Sequence, residues 1–268
     1  MRVSAAERAL NYVILVAFAL FALGPIAAIG AAAFGPQIGR PDGFYPGNLA
    51  DAWRIGGFGP ALATSALVAL IVVSVALVAS ILAGYAFATM RFRGSSALFY
   101  LFLLGLMVPA EAIVIPLFFD LREVGLIDTL PAVALPQIAQ SIAFGTFWMR
   151  AQFRALPANL IEAAAIDGAG GMAALTRVAA PASVPSIATV TVLLFMWTWN
   201  EFLIPLVMSP SGAVSTAPLG LALFKGQYTA DSALLSSAGV IIALPIVAIF
   251  ILLQRYFISG ILEGAAKE

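Results

Sequence analysis

Apolar residues in this chain come in long, nearly uncharged runs, and the polar breaks between them divide it into six segments. A helix needs about 20 apolar residues to cross a bilayer. The first run covers residues 9–34, inside a stretch from 9 to 39 that carries no charge. Arg2 and Arg8 precede it as they would a signal peptide. The apolar core of a signal peptide is only about 7–15 residues, however, so a retained span is expected. The other expected spans cover 61–88, 97–119, 129–149, 184–208 and 237–257. Pro109 and Pro116 should bend the third, since proline removes a backbone donor and crowds the preceding turn. Ala76, Ser80, Gly84 and Ala88 recur at every fourth position of the second, a spacing that lets helices approach closely in lipid. Segments 35–60 and 209–236 are rich in Gly, Pro and Ser and read as loops.

Six spans place both termini on one side. The short loops set which side, because cytoplasmic loops carry the excess of Lys and Arg. Arg2, Arg8, Arg91, Arg93, Arg150, Arg154, Arg177, Arg255 and Lys267 fall on the side of the termini, against Arg40, Arg54, Arg122 and Lys225 opposite. Nine against four predicts cytoplasmic termini and a cytoplasmic loop over residues 150–183. The expected organisation is one transmembrane domain over 1–268.

Composition narrows the function. The 268 residues are 62% hydrophobic and 10% charged, against about 25% charged in soluble domains. Net charge is zero and no long basic run occurs, so nucleic acid is not an expected partner. The absence of Cys and His removes disulfides, thiol nucleophiles, Cys/His zinc sites and histidine triads. No Gly-Lys pair occurs, which excludes a phosphate-binding loop of the Gly-x-x-x-x-Gly-Lys type. The chain therefore reads as a non-enzyme that holds no metal or cofactor, and any ATP chemistry belongs to another chain.

The loop 150–183 contains the most informative stretch, Glu162-Ala163-Ala164-Ala165-Ile166-Asp167-Gly168-Ala169. Asn159 three residues before Glu162 suggests a helix cap with a carboxylate at the third position. Leu160 to Asp167 should form about two turns, stopped by Gly168, Gly170 and Gly171. A helix this short is marginal alone in water and needs a surface to lie on. Leu160, Ile161, Ala164 and Ala165 offer an apolar strip beside the polar Glu162 and Asp167. A helix resting on lipid normally carries bulky apolar groups and a basic face. Alanines and acids favour contact with a protein.

Within the spans, the acids are Glu111 and Glu201, the latter beside Asn200. Charged groups at membrane depth are costly and usually face protein or water. They are candidates for a translocation path or gate, against the plainer role of bonding neighbouring helices. Trp197 and Trp199 could stack on a sugar ring or anchor the membrane interface.

Glu162-Ala163-Ala164, Gly168 and Pro181 together resemble the Glu-Ala-Ala loop of the membrane subunits of bacterial ABC importers. The longer form through Ala169 is similar to the carbohydrate branch, the MalG-like permeases. Gly84–Ala88 with Arg91–Gly94, Trp199–Leu206 and Ile258–Lys267 resemble further blocks of that branch, in order along nearly the whole chain. Val178 and Ala180 depart from the bulkier residues usual near the loop's end, as do Gly170, Gly171, Met172 and Ala173 after Gly168-Ala169.

The resemblance implies an all-α inner-membrane protein of the type I importer permease fold. It implies a second, non-identical permease subunit, a cytoplasmic ATPase dimer that binds ATP and magnesium, and an extracytoplasmic solute-binding protein. Glu162, Ala163, Ala164, Asp167 and Gly168 would then couple ATP hydrolysis to movement of a sugar or sugar-like solute, and the tail from Gly264 to Glu268 would reach the ATPase. A non-sugar cargo such as a glycerol phosphate, phosphodiester or polyamine is the nearest alternative. A homo-oligomeric secondary transporter using Glu201 is a more distant one.

Overall fold

A computed structural model describes residues 4–36, 43–224 and 231–265. Arg2, Arg40, Lys225, Lys267 and the tail beyond Ala265 lie outside the described residues. Among those described, the regular structure is helical throughout: α1 Ala5–Ala33, α2 Asn48–Ile55, α3 Phe58–Thr89, α4 Ser95–Met107, α5 Ala110–Glu123 and α6 Leu130–Ala155. There follow α7 Ala158–Ile166, α8 Gly171–Ala174, a π-helical turn Leu175–Ala179, α9 Ala180–Ala182, α10 Val184–Asn200, α11 Leu203–Met208, a 3-10 segment Ala217–Phe224 and α12 Ser232–Ala265.

Among the described residues, three stretches are long and apolar enough to cross a membrane as single helices, Glu7–Ala33, Phe58–Thr89 and Ser232–Leu252. Two bent pairs reach that length together: Ser95–Met107 with Glu111–Glu123 at 100°, and Gly171–Ala182 with Val184–Asn200 at 81°. The first bend falls at Val108-Pro109, inside the span expected over 97–119. α6 is 26 residues, roughly 39 Å at 1.5 Å per residue. Its prolines and glutamines dilute its apolarity, and it carries buried residues along nearly its whole length, from Ala132 to Phe153.

Three expectations need correction. The fifth span is not one helix over 184–208: α10 ends at Asn200, and α11 starts at Leu203. Pro205 explains the break, because it has no N–H for the Glu201 carbonyl and its ring crowds that carbonyl. The segment 35–60 is not all loop, since it folds into α2, tied by an Arg54–Asp51 ion pair at 2.8 Å. The segment 209–236 likewise holds the 3-10 turn and the start of α12.

The chain divides into two units, residues 1–59 with 220–244 and residues 60–219 with 245–268. In the first, the Ser4–Glu7 capping box starts α1, with Ser4 N–H to Glu7 Oε2 at 2.8 Å and Glu7 N–H to Ser4 Oγ at 3.2 Å. Ser237 Oγ donates to Ala33 O at 2.8 Å, and Asn48 Nδ2 donates to Gly35 O at 2.8 Å. Phe58 stacks on Phe224. No part of the most apolar window of α1 is buried within the chain.

The second unit carries the functional loop. Among the described residues, two apolar clusters lie in its core. One gathers Val68, Val72, Val114, Val133, Ile204 and Met208; the other gathers Tyr85, Met149, Phe153, Leu175, Ala179 and Leu194. Lipid tails are as apolar as these side chains, so close packing rather than release of water holds them. The small-residue stripe of α3 serves this packing. A Cβ on Gly84 would stand 2.7 Å from Met149 Cβ and 2.9 Å from Arg150 N, and Ser80 occupies the space beside Gly145. Trp148 Nε1 donates to Ser186 Oγ at 2.8 Å, fastening α6 to α10.

Candidate functional site

The loop 150–183 folds into α7, α8, the π turn and α9. Asn159 does not cap α7. The cap is Pro157, with no side-chain hydrogen bond, and Asn159 lies inside the first turn. Proline fixes φ at −57° and leaves ψ at 128°, so the chain enters the helix at Ala158. Leu160 N–H then closes the first turn on Pro157 O at 3.0 Å.

The other end of α7 follows the expectation. Gly168 has φ +79°, its N–H donates to Ala165 O at 3.1 Å, and Ala169 N–H donates to Ala164 O at 2.9 Å. That pair of bonds is a Schellman motif, whose left-handed residue favours glycine. A Cβ at Gly168 would meet nothing within 4 Å. Conformation, not crowding within this chain, selects glycine there.

The apolar strip is narrower than expected. Ala164 is buried and Ile161 packs against the core around Met149, Phe153, Leu175 and Ala179, whereas Leu160 and Ala165 are exposed. Ile161 and Ala164 therefore seat α7 on the helices that continue into the membrane. The opposite side carries Glu162, Ala163, Asp167 and Gly168, all exposed. Ile166 is 86% exposed and Met172 62% exposed on the same loop. Among the described residues, neither Glu162 nor Asp167 pairs with a basic side chain. Arg154, Arg177, Arg91 and Arg93 are exposed too. Arg150 instead lays its guanidinium 3.7 Å over the Phe99 ring, a cation–π contact that ties α6 to α4.

The π turn after α8 was not foreseen. Pro181 and Pro185 each lack a backbone donor and sit in the first turn of α9 and α10, where that donor would have no partner within the helix. Leu175 and Ala179, at either end of the π turn, are both buried. Pro185 sits just inside the start of α10, past the 81° bend.

Asn200 and Glu201 come together beside a cavity of about 340 Å³, with Gln140 of α6 and with Leu193, Met196 and Trp197 of α10. Glu111 does not join them: it lies exposed in the first turn of α5. Glu201 Oε1 accepts the Ile204 N–H at 3.0 Å, satisfying a donor in the first turn of α11, and Asn200 Nδ2 donates to Met196 O at 2.7 Å. Gln140, in the same lining, is signalled in the sequence only as a glutamine within an apolar helix.

Helices of membrane-crossing length and an exposed loop of alanines and acids between them are the features of a membrane protein with a polar face outside the bilayer. The chain belongs to the family described as binding-protein-dependent transport system inner membrane component, which matches residues 76–263. It is thus an inner-membrane component of an ABC-type permease family. It is 36% identical over 227 residues to the osmoprotective compounds uptake permease protein GgtD of Synechocystis sp., covering 84% of this chain and 76% of that protein. It is 33% identical over 212 residues to the trehalose transport system permease protein SugB of Mycobacterium tuberculosis, covering 78% and 77%. The arabinooligosaccharides permease protein AraQ of Halalkalibacterium halodurans is 36% identical over 203 residues, covering 76% and 72%. Among solved structures, a bacterial ABC transporter that imports the acidic polysaccharide alginate matches with TM-score 0.76 at 21% identity, over 96% of this chain and 99% of that one. That likeness establishes the fold as that of an ABC importer permease.

Proposed function

We propose that this chain is one of two non-identical permease subunits of an ABC importer for a sugar or sugar-like solute, and that it couples transport to a separate ATPase through α7. The observation that carries the reading is the two-sided character of α7. One face, Ile161 and Ala164, is packed into the bundle, and the other, Glu162, Ala163, Ile166 and Asp167, is unpartnered and exposed. A push on the exposed face passes through Leu175 and Ala179 to α6 and α10, because packed elements shift as bodies rather than deform. ATP and magnesium are held by the ATPase, and this chain's part is mechanical. Names of relatives that carry trehalose and arabinooligosaccharides favour a sugar cargo.

Six spans with both termini cytoplasmic remain part of the proposal. It counts α1, α3, α4 with α5, α6, α10 with α11, and α12. The exposed α1 suits a helix that lies against the partner permease or lipid. An extracytoplasmic binding protein delivers the solute; a related alginate importer was solved with such a protein bound. In this reading Asn200 and Glu201 line the path, and Glu111, in the first turn of α5, stands at its rim.

Uptake of radiolabelled sugar by cells tests the reading. Depleting ATP with the ion gradient maintained should stop uptake. Glu162→Lys should also stop it, while the variant still inserts in the membrane. Uptake that survives ATP depletion would point instead to a gradient-driven transporter.

A further inference from the structure

The open groove at Asn200 and Glu201 brings three polar side chains and an exposed aromatic ring together. Gln140 is ten residues past Leu130 at the start of α6 and fifteen before Ala155 at its end. At 1.5 Å per residue it stands roughly 15 Å from one end and 22 Å from the other, near mid-depth. The two nearby tryptophans differ in what they can offer. Trp199 is 4% exposed and stacks on Phe195, whereas Trp197 is 52% exposed, lines the cavity, and is braced by Phe144 at 4.5 Å between ring centroids. An interfacial anchor belongs at the membrane edge, and Trp197 is three residues from the end of a helix that continues past its break into α11.

A braced aromatic plate beside amide and carboxylate groups suits a ligand with an apolar face and a hydroxylated rim, which is the character of a sugar ring. The volume is at the low end of the roughly 300–1,000 Å³ usual for ligand pockets, room for one ring. Asn200 spends one amide hydrogen on Met196 O, and Glu201 spends one oxygen on Ile204 N–H. Each keeps further hydrogen-bonding capacity. Glu201 is the charged group of the lining, with no Lys or Arg beside it. A carboxylate there works against phosphorylated or uronic sugars.

We infer that this chain itself binds a neutral sugar ring at mid-depth, stacked on Trp197 and hydrogen-bonded by Gln140, Asn200 and Glu201. The inference rests on the importer reading and adds a solute contact on this subunit.

The test uses the complete complex in vesicles, with its ATPase, partner permease and binding protein, and tritiated trehalose, arabinotriose and diacetylchitobiose as probes. If the unaltered complex moves none of them with ATP, the sugar-importer reading itself fails. If it moves one, Trp197→Leu should lower the maximal rate for that sugar about tenfold, while ATP hydrolysis stimulated by the loaded binding protein stays within about twofold. Trp197→Phe should keep at least about half of the uptake, since it keeps a ring face. Unchanged uptake in Trp197→Leu, or uptake and hydrolysis falling together, overturns the inference. A second measurement is independent of that variant's folding. The chain has no cysteine of its own, so Gln140→Cys gives this subunit a single reactive thiol. During turnover the transported sugar should slow its reaction with a maleimide about fivefold or more, on the scale of site occupancy above the Kd. A rate that the sugar leaves unchanged overturns the inference.

Discussion

The Glu201 carboxylate accepts the Ile204 backbone N–H at 3.0 Å across the break between α10 and α11. The half-buried acid at the break therefore also takes a free N–H of the first turn of the helix that follows it, as a capping side chain does. Losing a capping side chain costs about 1 kcal/mol. Glu201→Ala should lower stability in detergent by about that much. Glu201→Gln, which keeps an acceptor oxygen, should lose less than half of it. Thermal unfolding followed by size-exclusion chromatography reads the difference. Equal losses would mean that the cap contributes nothing.

Gly168 sits at φ +79° with open space where a Cβ would go. A left-handed conformation costs most residues about 1–2 kcal/mol, and asparagine less. Residual uptake should therefore fall in the order Gly168, Gly168→Asn, Gly168→Ala, despite the greater bulk of asparagine. The reverse order would show that close approach of a partner, not backbone conformation, selects the glycine.

Gly84 is a different case. A Cβ there would stand 2.7 Å from Met149 Cβ and 2.9 Å from Arg150 N, so α3 and α6 must separate. Overpacking of this kind costs roughly 1–3 kcal/mol. Gly84→Ala should lower the yield of folded protein and its thermal midpoint, whereas Gly239→Ala, with nothing within 4 Å, should not.

Much of this was legible in the chain, because membrane helices announce themselves by length and the small-residue stripe by its period of four. The Glu162–Gly168 helix and its glycine stop were legible too, since the Schellman turn needs a left-handed residue. The break at Glu201-Phe202 was less so. Apolar residues continue through Phe202–Met208 and mask it, although Pro205 was the local signal. The π turn was hidden because Leu175 and Ala179 read equally well as one face of an ordinary helix. Asn159 misled because a capping residue and a first-turn residue look alike until Pro157 fixes the entry. Asp128, unremarked in the chain, proves to be a clasp between two loops.

Asp128 lies between α5 and α6 at φ 64° and accepts from Ser211 Oγ at 2.7 Å, Ser211 N–H at 2.9 Å and Ser209 Oγ at 3.3 Å. The Ser211 hydroxyl first, then its N–H, hold the carboxyl below its ordinary value of 3.8. A lowered folded-state pKa gives stability that is present above the unfolded value and lost as pH falls through the folded one. Wild-type thermal stability should thus decline below about pH 4. Asp128→Asn keeps acceptor oxygen and tolerance of positive φ, and should show a smaller decline over that window. Identical acid profiles would remove the clasp from the account.

The central claim is that α7 is the contact through which a separate ATPase drives this chain. Purifying the chain from its native membrane, with all co-purifying proteins identified, tests it most directly. The account predicts a second permease and an ATPase with a phosphate-binding loop, and predicts that Glu162→Lys loses the ATPase while keeping the permease. A chain that emerges alone as a stable homo-oligomer, or a Glu162→Lys variant that retains its ATPase in full, would contradict it.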